Sequence, residues 1–188
     1  MEKNVITDLI QELKTKKDIC KKDIYLLSGV LKTADVRIRE VIAATLGKSK
    51  RLEAVDLLCN VVIKDCEQGV RTNGAISVLD IARRYKDNKK AIRYIINKAC
   101  HPLLLAGGRY GTSRNIHALG WVFMELLAIG EKIMVVTAED RDNIAKALQK
   151  YYYATLNSDA RKAIQNLLDQ FGVSIVPAVP SPALGNNG

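Results

Sequence analysis

The chain has 188 residues, of which 48% are hydrophobic and 26% are charged. That composition is typical of a globular protein that buries its own core, and it excludes collagen-like, mucin-like and wholly disordered chains. The 29 Lys and Arg residues outnumber the 20 Asp and Glu residues, which gives a net charge of +9. A surplus of this size favours an acidic partner.

The cysteines and the N-terminus indicate the compartment. The four cysteines, Cys20, Cys59, Cys66 and Cys100, form no C-x-x-C motif and are too sparse for a disulfide framework, so we expect free thiols. The first four residues are not followed by the apolar stretch of a signal peptide, and no apolar run approaches the roughly 18 residues of a membrane span. These features predict a cytoplasmic protein that does not enter a membrane.

Apolar residues recur at helical spacing along nearly the whole chain, a period typical of amphipathic helices. In chain order the stripes are Val5, Ile6, Leu9, Ile10 and Leu13; Ile24, Leu27 and Leu31; Val41, Ala44 and Leu46; Leu52, Val55, Leu58, Cys59 and Val62; Ala75, Val78, Leu79 and Ala82; Ile92, Ile95, Ile96 and Ala99; Leu119, Val122, Leu126 and Ile129; Ile144, Ala147, Leu148 and Tyr151; and Ile164, Leu167, Leu168 and Phe171. The one strand-like segment, 133–136, is short enough to be a loop. The pattern predicts an all-α fold.

Polar residues and glycines separate the predicted helices. Asp35 and Asn88 each precede a stripe and offer a side-chain oxygen to the first backbone N–H groups of a helix. Gly47, Gly130 and Gly172 follow stripes, where a left-handed residue commonly ends a helix. We therefore expect left-handed backbone at these three glycines.

The composition changes at residue 173. Three of the four prolines fall within 173–182, and this segment carries no charge. Spaced prolines disfavour a helix and favour an extended or disordered segment. We predict one helical domain over residues 1–172 and a flexible tail over 173–188.

A short motif recurs at the start of four predicted helices. Its copies are Asp35-Val36-Arg37, Gly69-Val70-Arg71, Thr112-Ser113-Arg114 and Asp159-Ala160-Arg161, with arginines 34, 43 and 47 residues apart. This pattern resembles HEAT-repeat proteins, whose second helix often begins Asp-x-x-Val-Arg with small residues following, and whose repeats are roughly 40–47 residues long. The resemblance covers residues 18 to 172 and implies a short right-handed α-solenoid of about four helix pairs. An irregular helical bundle is the alternative.

The positive charge is concentrated in residues 81–114, which hold nine basic residues and only one acidic residue. The basic residues are Arg83, Arg84, Lys86, Lys89, Lys90, Arg93, Lys98, Arg109 and Arg114. Tyr85, Tyr94 and Tyr110 lie among them and could stack on unpaired bases. A solvated helix junction is the alternative explanation. Lys48, Lys50 and Arg51 form a similar turn one repeat earlier, and a shared edge would strengthen the polyanion hypothesis.

A glycine-rich segment, Gly107-Gly108-Arg109-Tyr110-Gly111-Thr112-Ser113-Arg114, precedes the third copy of the second helix. Glycine backbone N–H groups, the hydroxyls of Thr112 and Ser113 and the guanidinium of Arg109 could bind an anion at the helix start. The segment is neither a Walker A loop nor a dinucleotide fingerprint. An inter-helix connector with a hydroxyl cap is the alternative interpretation.

Residues suited to catalysis are few. His117 shares a helical face with Arg114 and Trp121, which is compatible with a site but also with an ordinary surface histidine. The two histidines and four cysteines lack zinc-ligand spacing, and no nucleophile or metalloprotease motif is present. We therefore expect no metal, no cofactor and no catalysis, and we take the candidate binding residues to be Arg83, Arg84, Lys89, Lys90, Arg93, Arg109, Thr112, Ser113, Arg114, His117 and Trp121.

Three functions are compatible with this sequence. The first is a binding or adaptor module that meets a protein partner through a concave second-helix face around Arg37, Arg71, Arg114 and His117 and through the basic junction. The second is a DNA- or RNA-binding protein, with a DNA-repair-like enzyme as one form of it, that contacts phosphates through residues 81–114. The third is a regulatory protein that neutralises an acidic protein partner. Some HEAT-fold proteins are DNA glycosylases with a basic concave face, but no motif carries their base-recognition residues onto this chain.

Overall fold

The computed structural model contains eight α-helices and no strand in the residues it describes, which confirms the all-α prediction. Those residues are 8, 11–12, 15–16, 18–109, 113–154 and 158–175, with the backbone alone for 107–109 and 113–116. The helices are α1 (Lys21–Val30), α2 (Val36–Leu46), α3 (Glu53–Lys64), α4 (Gln68–Arg84), α5 (Lys89–Arg109), α6 (Ser113–Lys132), α7 (Ala138–Ala154) and α8 (Ser158–Gln170). The apolar stripe from Val5 to Leu13 lies outside the described residues.

Side chains cap the helix starts where the sequence predicts it. Asp35 and Asn88 each accept a hydrogen bond from the backbone N–H three residues later, at 3.0 Å and 3.1 Å. At α1, the buried Asp23 accepts from the Cys20 backbone N–H and from the Lys16 ammonium, both at 3.0 Å. Burial raises the pKa of Asp23, but these two donors outweigh it, so the net pKa lies below its ordinary value.

The helices pack in a regular order. Sequential partners contact each other in α1–α2, α3–α4, α5–α6 and α7–α8. Helices two apart in sequence also pack together, α1 on α3 and α3 on α5 on one side, and α2 on α4, α4 on α6 and α6 on α8 on the other. Among the described residues, α5 and α7 are the exception, since they lack close packing.

The apolar core has two main parts. The larger cluster joins α1 through α6 and includes the fully buried Leu58, Leu79, Ile95 and Phe123. A smaller cluster joins α7 to α8 around Leu148 and is bridged to the first by half-buried side chains. The bridging residues are Leu104, Met124, Ile144 and Phe171. Helix α7 therefore reaches the rest of the molecule mainly through α8.

The glycine prediction is correct at one position of three. Gly172 has φ +70, but Gly47 has φ −58 and Gly130 lies inside α6, so neither ends a helix in left-handed backbone. Their small size serves close packing instead. A Cβ on Gly47 would lie 2.7 Å from the Ser77 hydroxyl, and one on Gly130 would lie 2.5 Å from Ile96 Cδ1.

Two arginines, the half-buried Arg39 and the buried Arg71, hold the α3–α4 connection. Arg39 on α2 forms a bidentate ion pair with Asp65 (Nε–Oδ2 2.8 Å, Nη2–Oδ1 3.2 Å) and donates to the Ala34 carbonyl. Arg71 on α4 donates to the carbonyls of Asp65 and Cys66 at 2.9 Å and 2.7 Å. Arg71 is only 3% exposed, so the expectation that it contributes to a binding face is wrong.

The segments between α6 and α7 and after α8 are not helical. Residues 133–137 form a turn with Met134 at φ 55, as the loop interpretation predicts. After Gly172, the half-buried Val173 and Ile175 pack on the smaller apolar cluster. The rest of the predicted tail, 176–188, lies outside the described residues. No helix in the described part is both long and apolar enough to cross a bilayer.

Candidate functional site

A groove of about 680 Å³ lies between α5 and α7, which are not closely packed in the described residues. Helix α5 contributes Arg93, Ile96, Asn97, Cys100, His101 and Leu104, and helix α7 contributes Asp140, Asn143, Ile144, Ala147 and Tyr151. Val135, Val136 and Thr137 line it from the preceding turn. Each wall has the spacing of one helical face about three turns long, or about 16 Å.

The groove combines an apolar floor with a polar rim. Ile96 and Val136 are buried, and Leu104 and Ile144 are half-buried between them. Exposed polar side chains line the mouth, namely Arg93, Asn97 and His101 on α5 and Asp140 and Asn143 on α7. Apolar contact with a few orienting polar groups is the usual composition of a binding groove.

Asp140, at one end of the groove, forms hydrogen bonds with Thr137, the residue that precedes its helix. Its carboxylate accepts from the backbone N–H and the hydroxyl of Thr137, each at 2.8 Å, and Thr137 Oγ1 accepts from the Asp140 N–H at 3.1 Å. These bonds lower the pKa of Asp140, and the positive charge of Arg93 lowers it further. Asp140 therefore caps α7 as a carboxylate, and its interaction with Arg93 places the two helix starts at the same end.

The Arg93 end of the groove continues into a basic surface. The Tyr85 hydroxyl donates to the Lys50 carbonyl at 2.5 Å, and Arg84 donates to the carbonyls of Gly47 and of Ser49, the latter at 3.1 Å. These bonds bring the turn after α2 against the turn after α4. The two basic turns recognised in the sequence therefore share one edge.

We define the basic edge as six exposed cations, Lys50, Arg51, Lys86, Lys89, Lys90 and Arg93. None of them forms an ion pair within the described part of the chain. Asp18 and Asp87 lie nearby, the former accepting from the Lys50 backbone N–H. The excess of unpaired positive charge makes this edge attractive to an acidic molecule.

Arg83 belongs to a different surface, on α4 and α6. Its guanidinium pairs with Glu125 at 3.3 Å and Asp80 at 3.8 Å, and it lies 5.8 Å from the ring centre of Trp121. Trp121 is 47% exposed, and His117 lies one turn before it, beside a small cavity of about 240 Å³ between α6 and α8. The structure thus brings Arg83, His117 and Trp121 together, and it separates them from Lys89, Lys90 and Arg93.

The remaining candidates lie at helix ends or act inside the fold. Arg84 holds the turn after α2 through the two carbonyls described above. The helix α5 continues through Gly107 and Gly108 to Arg109, and α6 begins at Ser113, followed by Arg114. The connector between α5 and α6 is therefore much shorter than the predicted segment 107–114. Thr112 and Tyr110 lie outside the described residues.

The two tyrosines of the basic region that the structure describes, Tyr85 and Tyr94, have partners within the protein. Tyr85 is bound to the turn after α2, and the Tyr94 hydroxyl donates to Asp56 Oδ2 at 2.5 Å. This hydrogen bond, with burial and the Asp56 charge, raises the pKa of Tyr94 to about 12. Lys98 also pairs with Asp56, at 3.3 Å. These contacts favour a structural role for both rings over base stacking.

The lining of the groove includes one cysteine. Cys100 lies in its wall, but burial, with a smaller contribution from Cys59, raises the pKa of its thiol to about 12, which keeps it protonated and weakly nucleophilic. In the part of the chain that the structure describes, no cluster of three His, Cys, Asp or Glu side chains could hold a metal ion. The groove can instead provide apolar contact and charge.

The α7 wall was not anticipated from the sequence. Asn97 and His101 lie on the same helical face as Arg93, so the helical spacing of α5 was enough to predict this part of the groove. Tyr151 belongs to the apolar stripe of α7, but neither Tyr151 nor Asn143 could be assigned to a groove, because that role depends on how α7 sits against α5.

The chain has no significant match among protein-family models, curated proteins or solved structures.

Proposed function

We propose that the chain is a non-catalytic binding module, built as a HEAT-like right-handed solenoid of helix pairs, that recognises an acidic surface of a protein partner. Two observations support the solenoid. Helices two apart in sequence pack together, as they do in stacked repeats. Arg37, Arg71, Arg114 and Arg161 each fall in the first turn of an even-numbered helix, which is the register expected of an internal repeat.

The basic edge carries the functional proposal. Six exposed cations without ion-pair partners in the described residues form this edge, and one of them, Arg93, lines the groove between α5 and α7, whose floor is apolar. Cations at a rim attract an acidic partner, and apolar contact in the centre supplies affinity. The exposed free thiols Cys20 and Cys66 favour action in a reducing compartment such as the cytoplasm.

Nucleic-acid binding is the second candidate, because the contact between Tyr85 and Lys50 joins two basic turns into one edge. Phosphates would bind such an edge with strong salt dependence. Three features favour a protein partner. The groove floor is apolar, Tyr85 and Tyr94 are engaged within the fold, and Arg83 lies on another surface.

Charge reversal on the edge tests the proposal. The variant Lys86→Glu/Lys89→Glu/Lys90→Glu changes three exposed lysines of the edge. Its matched control reverses three exposed lysines elsewhere, Lys64, Lys150 and Lys162, for the same change in net charge. Both are used with the wild type as bait in lysate of cells that express the chain, with and without nuclease, and captured proteins are quantified by mass spectrometry.

We expect proteins with acidic surfaces that survive nuclease, are lost from the edge variant and are kept by the control. Capture that nuclease abolishes would instead support nucleic-acid binding. Equal capture by the edge variant and the control would contradict a role for the basic edge in either function.

A further inference from the structure

The groove between α5 and α7 interrupts an otherwise continuous layer of helices. On the same side of the molecule α1 packs on α3 and α3 on α5, whereas α5 and α7 are not closely packed in the described residues. The groove walls run in the same direction, since Arg93 faces Asp140 at one end and Leu104 and Tyr151 share a cluster at the other. The wider spacing of α5 and α7 thus leaves a channel bounded by two parallel helical faces.

The dimensions of this channel suit one short helix. Each wall offers side chains over about 11 residues, or about 16 Å, and a helix of the same length would span it. A volume of about 680 Å³ accommodates one apolar side-chain stripe. Amphipathic helices bind such grooves by anchors at positions i, i+3 or i+4, and i+7.

The apolar floor indicates that the apolar face of a bound helix would point into the channel. Ile96, Leu104, Val136 and Ile144 line the channel, and the small side chain of Ala147 on α7 leaves room beside them. Large aliphatic side chains inserted there would remove apolar surface from water on both molecules, which is the main source of affinity in such complexes.

The charges define where acidic residues lie on the helix. At the Arg93 end, both walls present helix N-termini, with their positive partial charge, and the α5 wall adds Lys89, Lys90 and Arg93. Glu139 and Asp140 offset this charge on the α7 wall. Unpaired positive charge therefore remains on the α5 side, where acidic side chains of a bound helix would complement it.

We propose that the groove binds a short amphipathic helix of a partner protein, with its apolar stripe on the channel floor and acidic residues against Lys89, Lys90 and Arg93. This inference rests on the proposed function, because it specifies the partner of the same basic edge. It assigns Asn97 and Asn143, on opposite rims, to the mouth through which the helix enters.

The test uses the full chain and three labelled synthetic helical peptides. One has a leucine stripe at helical spacing and glutamates in its first turns, one has the same composition scrambled, and one has lysine in place of glutamate. Affinities are measured by fluorescence polarisation for the wild type, Asn143→Trp and Lys89→Glu/Lys90→Glu. Asn60→Trp, at an exposed position of α3 outside the groove, is the matched control. Thermal unfolding verifies that each variant folds.

We expect the striped acidic peptide to bind the wild type and Asn60→Trp equally, and the two groove variants at least about tenfold more weakly. The scrambled and lysine peptides should also be weakened by about tenfold or more. Ala147→Trp, which fills the channel from within, gives a second blocking variant if Asn143→Trp unfolds.

The inference is overturned if the scrambled peptide binds as well as the striped one, if both tryptophan substitutions in the groove leave affinity unchanged, or if the striped peptide has a dissociation constant above about 1 mM. The proposed function is judged separately, by whether charge reversal on the edge alters partner capture. The inference is also overturned, in favour of nucleic-acid binding, if a labelled single-stranded DNA binds more tightly than the striped peptide and its affinity is unchanged by Asn143→Trp.

Discussion

The ion pair between Arg39 and Asp65 should contribute more to stability than any exposed pair in the protein. It joins α2 to the end of α3 through two hydrogen bonds, and its side chains are 16% and 10% exposed. The perturbation is a double-mutant cycle of Arg39→Met and Asp65→Ala. The bond that Arg39 donates to Ala34 and the one that Asp65 accepts from the Glu67 N–H are lost in the single variants, so the cycle cancels them.

The magnitude follows from the burial of the pair. Exposed ion pairs are worth about 0–1 kcal/mol, whereas removing one partner of a fully buried pair costs about 3–5 kcal/mol. This pair lies between those limits, so we expect a coupling energy of about 2 kcal/mol and a loss of about 3 kcal/mol in each single variant. For a chain of this length each kcal/mol lowers the melting temperature by about 2–4 °C.

The assay is urea unfolding followed by circular dichroism at pH 7, with the free energy extrapolated to water. The exposed pair Arg83–Glu125 provides the control cycle, since its side chains are 48% and 42% exposed. We expect its coupling to be about 0.5 kcal/mol. A coupling energy for Arg39–Asp65 no larger than that of the control would refute the argument that burial strengthens it.

Three further predictions concern packing, thiols and pH. Gly130→Ala should lower the free energy of unfolding by about 1–3 kcal/mol, because its Cβ meets packed side chains. Gly29→Ala, which has open space in α1, should raise it by about 0.5–1 kcal/mol in the same assay. Equal effects of the two substitutions would contradict this. Ellman's reagent should modify two of the four thiols in the native protein and Cys59 and Cys100 only after unfolding, since burial raises the pKa of both to about 12; rapid reaction of all four would refute it. Because the pKa of Asp23 is lowered in the folded state, its stabilisation is present above the unfolded value of about 3.9 and is lost as pH falls through the folded value. The stability difference between wild type and Asp23→Asn should therefore be constant from about pH 7 to 5 and shrink below about pH 4, and a difference independent of pH would contradict this cause.

Local patterns were enough to predict the helices and several of their ends. The apolar period identified α1 through α8 because each helix buries one face. Asp35 and Asn88 cap the starts of their helices, as short polar side chains at those positions predict. The repeated arginine was located correctly at the starts of the even-numbered helices. The role of this arginine was not predicted correctly, since Arg37 is exposed whereas Arg71 is buried against two carbonyls.

The candidate site depended on contacts between distant segments. The basic charge of 81–114 was visible in the sequence, but its division between Arg83 on one surface and Arg93 on another depends on which helix faces each residue meets. The groove itself arises because α5 and α7 are not closely packed. Neither residue composition nor helical period determines the spacing of two helices, so Asn143 and Tyr151 could not be assigned to the groove from the sequence.

The central claim is that the groove between α5 and α7, bordered by the basic edge, is the binding site. The most direct measurement is nuclear magnetic resonance mapping of the ¹⁵N-labelled full chain titrated with the striped acidic peptide. We expect shifts concentrated at Arg93, Asn97, His101 and Asn143, with the indole signal of Trp121, the single tryptophan, unchanged on its separate surface. Shifts centred on the Trp121 indole, with the groove residues unmoved, would contradict the account.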